Sequence, residues 1–272
     1  MTEADRDPQR PRAAGPAGGS RAAGGWGRRG VLSLAAGLPL GLLARPGSGR
    51  AQDGGRPVDV ELVLAADGSG SIDDDELATQ RRGYADALTH PRVLQAIQGG
   101  YHGRIALTFI EWGGGRSQHT IVDWREIAGA GDAQAFGDAL MAAPRAARGW
   151  NSISGAIAYG HQKIDENGFA GHRKVIDISG DGPQRGGPPL GLTRQQAVDA
   201  GITINALVVR RPGGGYPGPG GMPLADHYER DVIGGRGAFV MTADAEIGFT
   251  DAILNKLIQE IADVRPTGAA RG

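Results

Sequence analysis

Short apolar runs alternate with longer amphipathic stretches from residue 58 onward. The first run, Val58–Ala66, is apolar at nearly every position toward its end, which is typical of a strand buried on both faces. Similar runs predict strands at Arg104–Trp112, Gln118–Trp124, Lys174–Ser179, Ile202–Val209 and Ala238–Met241. The stretches between them predict helices at Asp73–Ala87, Ala133–Ala143, Ser152–Asp165, Thr193–Ala200 and Glu246–Val264.

This alternation predicts a single α/β domain over residues 52–264, doubly wound, with a mostly parallel central sheet and helices on both faces. Ligands of such sheets collect at the carboxyl ends of the strands, close to the point where strand order reverses. The residues that follow the first strand and the 174–179 strand are therefore the first candidates for a functional site.

Residues 1–51 predict a disordered leader and a signal peptide. Arg28-Arg29 precedes an apolar stretch that runs to about Ala44, and Gly49-Arg50-Ala51 has the small residues expected before a cleavage site. The paired arginines resemble a twin-arginine export signal, with an ordinary signal as the alternative. The sequence predicts a periplasmic or secreted protein whose mature form begins near Gln52 and has no stable membrane span, since the apolar stretch is short and contains Gly37 and Pro39.

Two other segments are predicted to lie outside the regular elements. Residues 265–272 have the composition of a disordered tail. Residues 211–221 form a Gly/Pro-rich loop that is long for a compact domain, and either a partner-contact segment or a plain linker fits it.

Charge and cysteine content exclude several classes of function. The whole chain has a net charge of −1, but residues 1–51 hold eight basic and three acidic groups, so the remainder has 21 basic and 27 acidic groups and a charge of −6. A domain this acidic lacks the basic face of a nucleic-acid binder, so no nucleic-acid partner is expected. The chain has no cysteine, which excludes disulfides and zinc–thiolate sites.

Polar side chains with oxygen ligands follow both strands singled out above. Asp67, Ser69 and Ser71 form an Asp-x-Ser-x-Ser run directly after the first strand, and Asp181-Gly182 follows the 174–179 strand. Asn151 and the serines beside it enter a predicted helix from a third loop. Carboxylate, hydroxyl and amide oxygens suit Mg²⁺ or Mn²⁺, with Ca²⁺ as a further option, rather than thiophilic metals.

At these residues the chain resembles the von Willebrand factor type A family and its metal-ion-dependent adhesion site. The stretches VDVELVLAADGSGSI, RIALTFIEW and KVIDISGDGP resemble more closely a bacterial secreted family of unknown function, DUF1194. The family resemblance implies one Mg²⁺ or Mn²⁺ held by Asp67, Ser69, Ser71 and Asp181. It also implies that a carboxylate of a partner protein completes the shell of the ion.

The sequence departs from the family pattern at Asn151, where the family has a threonine. An asparagine amide oxygen can coordinate, but its longer side chain changes the geometry of the site. Three alternatives follow: Asn151 weakens an intact site, Ser152 or Ser154 coordinates instead, or the loop is adapted to asparagine.

The function predicted from the sequence is therefore an exported protein-binding module that uses a divalent cation, and not an enzyme. The chain has no G-x-S-x-G elbow and no G-x-x-x-x-G-K-[ST] loop, and Ser69 stands where an aspartyl-phosphate phosphatase has a second acid. Two alternatives remain: a scaffold that binds its partner without metal, and a metal-dependent hydrolase.

Two groups of acids outside this set are given ordinary structural roles. The run Asp73–Glu76 is interpreted as the first turn of a helix, favoured there by the helix dipole. Glu111 and Asp123, each followed by a tryptophan, are expected to lie at strand ends with their carboxylates in water.

Overall fold

The computed structural model describes residues 54–70, 72–210, 215–244 and 248–262. The predicted signal peptide, the predicted tail and Ser71 lie outside the described residues. In the described part of the chain, no helix is long and apolar enough to cross a membrane.

Six strands form one sheet in the order β3-β2-β1-β4-β5-β6. The strands are β1 Arg56–Asp67, β2 Ile105–Trp112, β3 Gln118–Ile127, β4 Phe169–Gly180, β5 Ile202–Val209 and β6 Val240–Ala243. All neighbouring pairs are parallel except β2 and β3, which are antiparallel. This confirms the predicted α/β class with a mostly parallel sheet.

Helices cover both faces of the sheet. They are α1 Asp74–Thr89, α2 Pro91–Gln98, α3 Ala130–Ala142, α4 Ile153–Glu166, α5 Leu190–Asp199, α6 Leu224–His227 and α7 Phe249–Ala262, and α6 continues as a π-helical turn over Tyr228–Val232. One apolar core lies between the sheet and α1, α2, α3 and α7, and a second lies between the sheet and α4, α5 and the turn after α6. β1 serves both cores: Leu62 and Leu64 face the first, and Val63 and Ala65 face the second.

Strand order reverses at β1. The chain passes from β1 to β2 on one side, whereas β4 and then β5 lie on the other. Asp67 pairs with Trp112 of β2, and Ala66 pairs with Ser179 of β4, so the carboxyl ends of these three strands meet at one edge of the sheet. This edge is where the sequence analysis places the site.

The structure corrects several predicted boundaries. Helix α2 was not predicted; Pro91 opens it at a position where a missing N–H costs nothing, and the His90 side chain caps it. β4 begins at Phe169, five residues before the predicted start, because it pairs with β1 from the first residue of that strand, Arg56. β6 spans Val240–Ala243 rather than Ala238–Met241, in register with β5.

A buried ionic cluster anchors α7 to the sheet. Lys256 Nζ lies 2.6 Å from Asp177 Oδ1 of β4 and 2.5 Å from Glu260 Oε1, one helical turn further along α7. Asn205 of β5 donates to the same Glu260 oxygen at 2.9 Å. All four side chains are almost fully buried. Burial, and next the charge of Glu260, raise the pKa of Asp177 to about 7, although Lys256 acts in the opposite direction.

Candidate functional site

The loop after β1 has a shape set by its own aspartate. Asp67 Oδ1 accepts a hydrogen bond from the Ser69 amide at 2.7 Å, which closes a tight turn and buries both side chains. The Gly68 amide donates to the Trp112 carbonyl at 2.9 Å, tying the turn to β2. A Cβ on Gly68 would lie 2.9 Å from the Ala147 Cβ, so glycine is required here by close approach.

Arg145 braces this loop from outside. Its guanidinium donates to the carbonyl oxygens of Ser69 at 3.0 Å and Ile72 at 2.6 Å, and to Asp74 Oδ1 at 2.8 Å. Because these carbonyls belong to the turn itself, Arg145 is a positioning residue for Ser69. No local sequence pattern marks this role, because Arg145 acts on a loop more than seventy residues away.

A buried ion pair fixes the segment that carries Arg145. Arg81 Nε donates to Glu111 Oε1 at 2.8 Å, and the same guanidinium donates to the carbonyls of Ala143 and Pro144. The expectation that Glu111 lies in water is wrong: the side chain is fully buried, because Arg81 compensates its charge. Asp123, in contrast, is mostly exposed and pairs with Lys163.

Asn151 lies against the residue that follows Asp181. A Cβ on Gly182 would fall 2.0 Å from Asn151 Nδ2, so the Asn151 amide occupies the space beside that glycine. The Asn151 side chain is buried, and the Arg185 amide donates to the backbone carbonyl oxygen of Asn151 at 2.5 Å. The loop that carries Asn151 therefore reaches the same edge of the sheet as Asp67 and Asp181.

The two neighbouring serines have other partners. Ser152 caps α4 by accepting from the Gly155 amide at 3.2 Å, and its hydroxyl donates to the Gly186 carbonyl at 3.3 Å. Ser154 accepts from Gln184 Nε2 at 2.7 Å. Both hydroxyls thus join the 151–154 segment to the loop after Asp181. Of the three alternatives for this position, coordination by Ser152 or Ser154 receives the least support.

The Asp73–Glu76 run forms a capping box, as a first helical turn should. Asp73 Oδ1 accepts from the Glu76 amide at 2.8 Å, and the Asp73 amide donates to Glu76 Oε2 at 3.0 Å. Asp73, Asp75 and Glu76 also line a cavity of about 490 Å³ that extends from Asp67 and Asp181 toward Phe249. The acids therefore border the site without joining its buried part.

The buried carboxylates at this edge repel each other. Burial, and next the charge of Asp181, raise the pKa of Asp67 to about 7, whereas hydrogen bonds from Ser69 act to lower it. Asp67 Oδ2 is buried and has no hydrogen-bond partner among the described residues. The nearby Tyr228 hydroxyl has its pKa raised well above the ordinary value, by burial and by the charges of Asp67 and Asp181. A cation at this edge would offset the repulsion between the two carboxylates and favour their ionised forms.

The donors present fit a hard divalent cation. Asp67, Ser69, Asn151 and Asp181 bring carboxylate, hydroxyl and amide groups to one edge of the sheet, where all four residues are buried, and Ser71 lies outside the described residues. The described residues contain no group of three or more His, Cys, Asp or Glu side chains of the kind that holds most protein metals. A metal here would therefore depend on hydroxyl and amide oxygens to complete its shell.

The fold is similar to that of a solved von Willebrand factor type A structure. The chain belongs to the family described as Protein of unknown function (DUF1194), whose model matches residues 57–265. No curated protein matches the sequence.

Solved structures share the fold at low sequence identity. Proximal thread matrix protein 1 from the mussel byssus is 14% identical with a TM-score of 0.53, over 77% of this chain and 48% of that one. The pilus adhesin SpaC from Lactobacillus rhamnosus GG is 17% identical, also with a TM-score of 0.53, over 76% of this chain and 30% of that one. A von Willebrand factor type A structure from Catenulispora acidiphila is 13% identical with a TM-score of 0.50, over 76% and 42%. The chain thus spans about half or less of the length of each of these proteins.

Proposed function

We propose that this protein is an exported binding module that holds a divalent cation, Mg²⁺ or Mn²⁺, and uses it to engage a carboxylate of a partner protein. One observation carries the proposal: Asp67 and Asp181 are buried beside each other, with Ser69 and Asn151 at the same strand edge. Two carboxylates buried beside each other repel each other, and this repulsion costs free energy unless a positive charge offsets it. A divalent ion would do so and would keep one position for an outside ligand.

Two structures that share the fold are consistent with this role. One mussel-protein structure is described with a zinc-occupied MIDAS motif, and SpaC is described as a pilus adhesin. The zinc site and the adhesin role belong to those two proteins, which are 13% and 17% identical to this chain. They support a metal-dependent adhesive role here only through the shared fold. Export rests on the arginine pair and apolar stretch of residues 28–44, and the periplasm or the exterior is the proposed compartment.

Metal binding is tested by thermal unfolding with and without ion. Mg²⁺ or Mn²⁺ is expected to stabilise the wild type by about 2.7 kcal/mol at a hundredfold excess over Kd, since only the folded state assembles the site. Ser69→Ala is expected to lose most of this stabilisation and to keep the fold. Thr89→Ala is the matched control, because Thr89 lies at the opposite end of α1 from the site. No shift in the wild type at millimolar ion would favour the metal-free scaffold instead.

Asn151 gives a second, independent test of the site. Its amide is fitted against Gly182, so the structure favours a loop adapted to asparagine. Asn151→Ala and Asn151→Thr are both expected to weaken Mg²⁺ binding by at least about tenfold, the scale on which even outer-shell partners of a metal act. Calorimetric titration measures this. Tighter binding by Asn151→Thr would show instead that asparagine merely weakens a site built for threonine.

A further inference from the structure

Charge is distributed unevenly around the candidate site. The three loops on one side, residues 113–117, 145–152 and 182–189, contain no acidic residue. Each carries one exposed arginine: Arg116, Arg148 and Arg185. The acidic groups near the site lie instead on the first turn of α1, which exposes Asp74, Asp75 and Glu76. A domain with a net charge of −6 outside residues 1–51 therefore concentrates basic groups beside its candidate cation site.

These three loops form one continuous surface. The Ser152 amide donates to the Gly113 carbonyl at 2.7 Å, and the Arg185 amide donates to the Asn151 carbonyl at 2.5 Å. A Cβ on Gly115 would lie 3.3 Å from the Gly187 backbone, so the first and third loops are also in contact. Since Asn151 belongs to the site, the surface begins where the site ends.

Exposed aromatic side chains lie on the same surface. The Trp150 side chain, next to Asn151, is 65% exposed, and that of Tyr216 is 44% exposed. Tyr216 Cδ2 is 3.8 Å from the Cβ position of Gly182, and the Arg185 guanidinium lies 6.0 Å from the centre of the Tyr216 ring. Tryptophan, tyrosine and arginine are the residues that contribute most to protein–protein binding energy when a partner covers them.

We propose that Arg116, Arg148, Trp150, Arg185 and Tyr216 form a basic aromatic rim that binds an acidic segment of the partner protein. One carboxylate of that segment completes the shell of the ion. Neighbouring carboxylates of the segment pair with the arginines, whose planar guanidinium groups can donate two hydrogen bonds to one carboxylate. Trp150 and Tyr216 cover the apolar parts of the segment. The proposal rests on the metal-dependent function proposed above and adds the chemistry of the partner.

Charge also argues against a nucleic-acid partner at the same surface. A long polyanion that continued from the ion into the adjoining cavity would meet Asp75 and Glu76, whose negative charges repel it. A short acidic segment of a protein stops at the ion and avoids these acids. The rim therefore fits a local cluster of carboxylates better than a continuous phosphate backbone.

The test is selection of peptides from a random displayed library on the purified protein with millimolar Mg²⁺. Recovered peptides are expected to carry several Asp or Glu residues and to be released by EDTA. The triple change Arg116→Ser, Arg148→Ser and Arg185→Ser is expected to weaken such a peptide by about tenfold, the scale of three exposed ion pairs. Trp150→Ser is expected to weaken it as well. The charge-matched control is Arg82→Ser, Arg92→Ser and Arg236→Ser, three exposed arginines elsewhere on the surface.

Two readouts keep this proposal distinct from the proposed function. Calorimetric titration of Mg²⁺ without peptide tests the metal site alone, and the triple rim variant is expected to bind Mg²⁺ like the wild type. If the metal binds but recovered peptides carry a single acid, or the rim and control variants bind them equally, the rim proposal is overturned. Equally tight binding of heparin or DNA in EDTA would overturn it too, since the surface would then be a general polyanion site.

Discussion

Replacing Lys256 by methionine is expected to lower the free energy of unfolding by about 3–5 kcal/mol, because it leaves buried carboxylates without their cation. Lys256 lies between Asp177 and Glu260, and all three are almost fully buried. Methionine has a similar length and fills the space, so the loss reports charge rather than a cavity. Urea or guanidinium unfolding at neutral pH measures it.

Two further variants separate the ionic cause from a packing cause. Lys163→Met is the control, because Lys163 pairs with the mostly exposed Asp123. This change is expected to lower the free energy of unfolding by less than about 1 kcal/mol. Adding Asp177→Asn and Glu260→Gln to Lys256→Met removes the unpaired charges and is expected to recover much of the loss. A triple variant as unstable as the single one would show that packing of the lysine stem, not its charge, anchors α7.

Asp67→Asn is expected to have opposite effects on the metal-free and the metal-bound protein. Because the folded pKa of Asp67 is raised from 3.8 to about 7, the folded state binds the proton more tightly than the unfolded state. The metal-free wild type therefore loses stability as the pH rises from about 3.8 to about 7, and the loss is complete above about pH 7. The variant escapes that cost and should be about 2–4 kcal/mol more stable at pH 8 without metal.

The same substitution is expected to abolish stabilisation by Mg²⁺, which wild type should show most strongly above pH 7. Below that pH a proton competes with the ion at Asp67, so the apparent affinity for Mg²⁺ is expected to fall about tenfold per pH unit. Thermal and chemical unfolding across pH, with and without ion, measure both effects. Asp86→Asn, an exposed acid on α1, is the control. Lower stability of metal-free Asp67→Asn at pH 8 would contradict the account of the buried acids.

The sequence alone predicted those features that are determined by residues close together along the chain. The apolar run that became β1 is buried on both faces, and this is readable from its composition. Asp67 and Asp181 follow strands that the same reasoning finds, and parallel strands bring their carboxyl ends to one edge. The fold class and the convergence of Asp67, Ser69, Asn151 and Asp181 were therefore predictable.

The remaining features depend on partners that are distant in sequence. Glu111 reads as a solvated strand end until Arg81, thirty residues earlier, is seen to pair with it. Arg145 acts on carbonyl oxygens of residues 69 and 72, and backbone acceptors leave no trace in a sequence. The hydroxyl of Ser154 looks available as a ligand until Gln184 occupies it. Sequence patterns report local geometry and burial, whereas these contacts are set by tertiary packing.

The anchoring of α7 determines how the domain can respond to a partner. Sliding a helix by one turn moves it about 5.4 Å along its axis, which would carry Lys256 away from Asp177 of β4. The resulting unpaired buried charges cost about 3–5 kcal/mol, more than the 1–3 kcal/mol typical of coupling between distant sites. If the proposed binding function holds, we therefore expect that occupancy of the strand edge does not move α7 by a full turn. Recognition would then be confined to the loops at that edge, with α7 held in place on the sheet beneath them.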